Sequence, residues 1–123
     1  MSKLTYRNEI EPSTLINQPD DVKITEEKDA RRRDTSDFRL TKEDHTVANM
    51  LRMKLHTNPQ VKFAGYKVPH PTMHTVVVKI QTAPERAGST DALQTPAEAL
   101  DRALLECIED LDEFDRQLAA ATQ

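Results

Sequence analysis

From Thr95 to Gln123 the chain contains no glycine, and the only proline in that stretch, Pro96, stands at its start. Thr95-Pro96-Ala97-Glu98 combines a capping box, with Thr95 and Glu98 as its two halves, and a proline at the first helical position. Apolar residues then recur at Leu93, Ala97, Leu100, Leu104, Cys107, Leu111, Phe114, Leu118 and Ala121, in alternating steps of four and three. That is a heptad seam, and the residues between are largely acidic. Leu93 precedes the cap and is expected to reach the seam as a staple. About 26 helical residues at 1.5 Å rise form a rod of roughly 39 Å. Whatever else the chain builds has to sit against a helix of that length.

The preceding residues can supply only a small sheet. Residues 1–20 hold Pro12 and Pro19 among polar residues without a clear period, and read as an irregular arm. The domain is expected over 21–123. Val22 and Ile24 alternate with Lys23 and Thr25 as a strand with one buried face, and Glu26 to Asp34 form the connection after it. Phe38 and Leu40 alternate with Asp37, Arg39 and Thr41 in a second strand. Asp44 is a good N-cap, and Val47, Met50, Leu51, Lys54 and Leu55 follow at helical spacing until Asn58-Pro59 stops the helix. A third strand places Val61, Phe63 and Gly65 on one face and Ala64, Tyr66 and Val68 on the other. Gly65 there marks a bulge or a close backbone approach. Val76, Val78, Ile80 and Thr82 alternate with Thr75, Val77, Lys79 and Gln81 in a fourth.

The order β-β-α-β-β-α predicts an α+β fold of two layers, a four-stranded antiparallel sheet with helices on one face. Strands of about seven residues at about 4.8 Å spacing make a sheet roughly 15–23 Å on an edge. The last helix therefore overhangs its own sheet by several turns. Leu111, Phe114 and Leu118 lie on the overhang, each worth about 1.5–3 kcal/mol if fully buried. An ordinary core helix has no need of that length, so the seam is expected to be an interface.

Composition narrows the remaining function classes. Two glycines, Gly65 and Gly88, leave no Gly-rich phosphate loop, and one cysteine, Cys107, leaves no thiolate zinc cluster and no intrachain disulfide. A reducing compartment, cytosol or nucleus, is the expectation. No apolar run approaches the twenty residues of a membrane span, and the N-terminal MSKLTYRNEI has no apolar core of a secretory signal. The net charge of -4 hides an asymmetry, for residues 1–90 sum to +3 and residues 91–123 to -7. The acidic final third would repel phosphate, so specific nucleic-acid binding is not expected.

The residues that invite chemistry have simpler readings. Glu43-Asp44-His45-Thr46 sets a carboxylate, an imidazole and a hydroxyl in series, but adjacent side chains diverge, and a helix start accounts for them. His45, His56, His70 and His74 lack convergent metal-ligand spacing. Cys107 lies in an apolar seam beside acids, which makes a thiol inert. Arg31-Arg32-Arg33, flanked by Asp29 and Asp34, reads as a solvated turn. No catalytic, cofactor or metal residue is assigned.

Two blocks carry a family likeness. Lys42-Glu43-Asp44-His45-Thr46-Val47-Ala48-Asn49 and Phe63-Ala64-Gly65-Tyr66-Lys67-Val68-Pro69-His70-Pro71, followed by His74, Ile80-Gln81-Thr82 and a long helix, resemble the small α-like subunits of eukaryotic RNA polymerases. The likeness is to the eleventh subunit of polymerase II, over roughly residues 20–120. Val47-Ala48-Asn49 stands where that family commonly has Leu-Gly-Asn, and Ala48 keeps the middle position small. The stretch from Pro84 to Thr95 is longer than the family leads one to expect. The resemblance implies a non-catalytic nuclear subunit with the fold of the bacterial α dimerisation domain. It implies an obligate heterodimer with the larger α-like, third subunit, which then seeds assembly of the two large subunits, the second-largest among the contacts. Carried over by position, the heterodimer contact would be Val47, Met50, Leu51, Leu104, Leu111, Phe114 and Leu118.

Ser89 to Gln94 and Asn58-Pro59 also resemble the paralogous small subunit shared by polymerases I and III, whereas Phe63 to Pro71 favours polymerase II. An independent homodimer held by antiparallel terminal helices is a second class of reading. A small metal or acid/base enzyme using Glu43, His45 or His70 is a third.

Overall fold

The computed structural model describes residues 22–82 and 94–122. The arm expected over 1–20, the long stretch before Thr95 as far as residue 93, and the staple Leu93 lie outside those residues. The described elements run β1 (Ile24–Lys28), β2 (Thr35–Thr41), α1 (His45–His56), β3 (Val61–Lys67), β4 (Thr75–Thr82) and α2 (Pro96–Ala121). The strands form one antiparallel sheet in the order β1-β2-β4-β3. The β-β-α-β-β-α order and the long final helix are as the sequence reading has them.

Alternation decides which sheet face the helices cover. Ser36, Phe38 and Leu40 of β2 are paired with Ile80, Val78 and Val76 of β4, and all six are buried. Ala64 of β3, Ala48, Leu51 and Leu55 of α1, and Ala99, Leu100, Ala103 and Cys107 of α2 complete the core. Leu51, Leu55, Ile80, Val76 and Val78 are its largest fully enclosed apolar side chains. The alanines keep side-chain bulk low where a helix must approach its neighbours closely.

Four details depart from the sequence reading. β1 has no buried face, for all five of its residues are exposed. It is an edge strand beyond the two helices, which pack chiefly on β2, β4 and β3. Glu26 to Lys28, expected in the connection, continue β1, and their charges suit an unpaired edge. The bulge of β3 falls between Val61 and Phe63 rather than at Gly65. At Gly65 it is a side chain rather than a backbone that comes close, since a Cβ there would stand 3.1 Å from Cζ of the Phe63 ring. Finally, the stripe that α2 buries is Pro96, Ala99, Leu100, Ala103 and Cys107, and Ala97 is exposed. A sheet accepts a broader and slightly rotated helix face than a strict coiled-coil seam.

Three contacts fix the path of α2. Asn58, buried at the end of α1, donates from Nδ2 to Oε1 of Gln94 at 2.8 Å, and the Gln94 amide donates to Oε1 of Gln60 at 3.0 Å. This clasp sets where the helix enters. Further along, Lys54 of α1 and Asp110 of α2 pair at 2.5 Å. That hydrogen bond holds the Lys54 ammonium above its ordinary pKa. Beyond Asp110, every residue of α2 is exposed except the half-buried Glu113.

Candidate protein-interaction surface

Both helix starts are built as the sequence signals require. Thr95 accepts the Glu98 amide at 3.2 Å while Glu98 accepts the Thr95 amide at 3.0 Å, with Pro96 at the first helical position. Asp44 caps α1 by accepting the Thr46 amide at 2.9 Å, and that bond holds the Asp44 carboxyl below its ordinary pKa. Ahead of it, Lys42 sits in the left-handed region at φ 58 and its amide donates to the His74 carbonyl at 2.6 Å, which turns the chain from β2 into the cap.

The polar run that begins α1 is fully occupied with structural contacts. Glu43 pairs with Lys23 at 2.6 Å, Asp44 caps the helix, and Nδ1 of His45 lies 2.9 Å from the Tyr66 hydroxyl. A cleft of about 320 Å³ lies beside them, lined by Val68, Pro71, Met73 and His74 as well. The three polar groups are turned toward three different partners rather than toward one point in it. His56 Nε2 donates to the Ala64 carbonyl at 2.8 Å, and His70 lies against Thr72. Among the described residues no group of three or more His, Cys, Asp or Glu could hold a metal ion. Cys107 is buried, and burial pushes its thiol pKa up, away from nucleophilic thiolate. Arg31 to Arg33 are exposed in the turn between β1 and β2, where the Arg31 amide donates to Asp29 at 2.8 Å.

The apolar residues of α2 have a different fate. Its buried stripe stops at Cys107, and Leu111, Phe114 and Leu118 beyond it are 56%, 65% and 51% exposed. Leu104 is half-buried and packs against the core, and so does Val47 of α1. Met50 is exposed at the margin of α1. Leu51 does not belong with these: at 2% exposure it is enclosed by its own fold and has no surface to give to another chain.

The sequence reading missed Leu105 and Ile108, exposed by 55% and 54%, and Met53 of α1. Leu105 and Ile108 follow Leu104 at one and four residues, so they widen the seam on one side. A strict heptad template passes over them, because they lie to one side of the stripe that α2 turns to its own core. From Leu105 to Leu118 the five exposed side chains form a continuous apolar edge, which begins beside the buried stripe and runs on past its end at Cys107.

Comparison with known proteins gives this edge a context. Residues 35–117 match the family model described as the RNA polymerase Rpb3/Rpb11 dimerisation domain. The chain is 39% identical over 102 residues to the probable DNA-directed RNA polymerase II subunit RPB11 of Caenorhabditis briggsae, covering 83% of this chain and 77% of that one. It is 39% identical over 85 residues to the RPAC2 subunit of polymerases I and III from Schizosaccharomyces pombe, covering 69% and 65%. In fold it resembles the crystal structure of subunit L of the RNA polymerase of Thermoplasma acidophilum. The TM-score is 0.60 at 14% identity, over 80% of this chain and 89% of that one. With a four-stranded sheet, a capped first helix and a terminal helix that outruns its core, the chain belongs to the Rpb3/Rpb11 dimerisation-domain family of RNA polymerase subunits.

Proposed function

We propose that the chain is the small, RPB11-type member of an α-like heterodimer in nuclear RNA polymerase II. It pairs with the larger α-like subunit and thereby scaffolds assembly of the large subunits, the second-largest among them, while doing no chemistry itself. The observation that carries this reading is the apolar edge of α2, whose large side chains are more than half exposed once the helix has passed the sheet. The contact consists of Leu104, Leu105, Ile108, Leu111, Phe114 and Leu118, with Val47 and Met50 of α1 at its margin. Leu51 acts only by holding α1 in place.

Leu111→Glu combined with Leu118→Glu tests it, because pairing would then bury unpaired carboxylates. Loss of co-purification with the larger α-like subunit is the expected result, and capture equal to that of the unaltered chain would refute the assignment. The match to RPB11 of Caenorhabditis briggsae extends over 102 residues, against 85 for RPAC2 of Schizosaccharomyces pombe, which favours polymerase II over the paralogous role in polymerases I and III. Affinity purification from nuclei, with the largest catalytic subunit identified by mass, distinguishes the two.

A further inference from the structure

The apolar edge has an asymmetric border. α2 carries eight Asp/Glu against two Arg, and both arginines are engaged within the helix, Arg102 with Glu106 at 2.9 Å and Arg116 with Glu113. At 3.6 residues per turn, Asp101 lies one turn before Leu105, Asp112 one turn after Ile108 and Asp115 one turn after Leu111. The three carboxylates therefore run along the flank of the exposed stripe, and among the described residues none of them has a cationic partner. The basic groups of α1 are committed elsewhere. Lys54 is paired with Asp110, and the Arg52 guanidinium donates to Oδ1 of Asn49 at 2.8 and 3.1 Å.

A second copy of this chain would present the same patch, because a two-fold contact sets one surface against itself. Asp101, Asp112 and Asp115 would then face their own counterparts across a water-poor contact, an arrangement that like charges oppose. A helix with an apolar stripe flanked by lysines or arginines meets no such barrier. We propose that this acidic border sets the choice of partner: the edge accepts a chain whose facing helix is rimmed by basic residues, and rejects a second copy of itself. The inference rests on the pairing proposed above and adds to it the chemistry of the partner.

Two variants test it in the full-length chain, co-expressed with the tagged larger α-like subunit. Asp101→Lys, Asp112→Lys and Asp115→Lys together should lose in competition against the unaltered chain by roughly tenfold at 0.1 M salt. The difference should shrink at 0.5 M, where screening is stronger. Asp101→Asn, Asp112→Asn and Asp115→Asn together keep the shape and remove the charge, so this variant alone should sediment as a dimer at concentrations where the unaltered chain does not. Equal competition by the lysine variant at both salts, or identical sedimentation of the asparagine variant and the unaltered chain, would overturn the charge rule. Leu111→Glu with Leu118→Glu, run in parallel, keeps the two questions apart. If that variant still captures the larger subunit, the pairing itself is wrong. If only the charge variants behave like the unaltered chain, the pairing stands and its selection by charge does not.

Discussion

Replacing Leu111 and Leu118 by alanine should separate the stability of this chain from its affinity. In the isolated chain the two side chains are 56% and 51% exposed and lie past the last buried residue of α2, Cys107. Truncating them opens no cavity, so the loss should stay within about 0.5 kcal/mol, as for surface positions generally. Full burial of a leucine is worth about 1.5–3 kcal/mol, and roughly half of that is still ungained at these sites, about 0.8–1.6 kcal/mol each. Covering both in a heterodimer therefore contributes about 1.6–3.2 kcal/mol, and the double variant should bind its partner about 15- to 200-fold more weakly. Urea denaturation followed by circular dichroism reads the first quantity, and a dilution series of the labelled heterodimer reads the second. A variant that loses more than about 1 kcal/mol alone while keeping its affinity would show that these leucines serve the chain's own fold, and the argument would be refuted.

Leu51→Ala should behave in the opposite way, costing about 2–5 kcal/mol in the isolated chain because it empties space in an enclosed core, as a urea melt would show. Asp44→Ala removes the cap of α1 and should cost about 1 kcal/mol at neutral pH. Because the Thr46 amide holds the folded Asp44 carboxyl below its usual 3.8, its contribution is present above that value and is lost as pH falls through the lower folded value. The acid limb of urea midpoints against pH should thus be shallower for Asp44→Ala. Lys54 titrates above its usual 10.5 in the folded chain through its bond to Asp110, so that pair stabilises below 10.5 and fades as pH rises through the higher folded value. Asp110→Asn should flatten the alkaline limb of the same plot, and an unchanged limb would show that the pair adds nothing.

How far the sequence could be read follows from where each signal originates. Period-two alternation located β2 and β4 because both are central strands with one face against the helices, so Phe38, Leu40, Val76, Val78 and Ile80 all had to be apolar. The caps at Asp44 and Thr95 were legible because each satisfies its amides with side chains close in sequence. β1 misled because Ile24 alternates as a core strand does, while nothing local tells an edge strand that the helices do not reach it. The exposed apolar edge was half legible. Helix length against sheet width implied that Leu111, Phe114 and Leu118 would be left uncovered. Which face α2 turns to its own sheet depends on where the Gln94, Asn58 and Gln60 clasp and the Lys54–Asp110 pair hold it. Those contacts join residues 34, 36 and 56 positions apart, and no window of sequence contains them. Hence a strict heptad passes over Leu105 and Ile108 although they are exposed, whereas Leu51 of α1 enters the expected contact through the family likeness although its own fold encloses it.

A single helix here serves two ends, and its construction explains how. A segment as short as the one past Asp110 is marginal as an isolated helix in water, and it has no basic residue in its last turn to offset the helix dipole. It is helical because it propagates from a nucleus formed elsewhere, the Thr95–Glu98 capping box and the turns buried through Cys107. Nucleation is the unfavourable step and extension the easy one, so a well-anchored first half supplies order to the second. The apolar edge is thereby presented already shaped, and little conformational freedom is left to lose when another chain covers it. The acidic residues interleaved with that edge keep it soluble until then. Changes at Ala99, Leu100 and Ala103, which the fold encloses, accordingly act on affinity only by way of the fold, whereas changes at Leu111, Phe114 and Leu118 act on affinity directly and leave the fold intact.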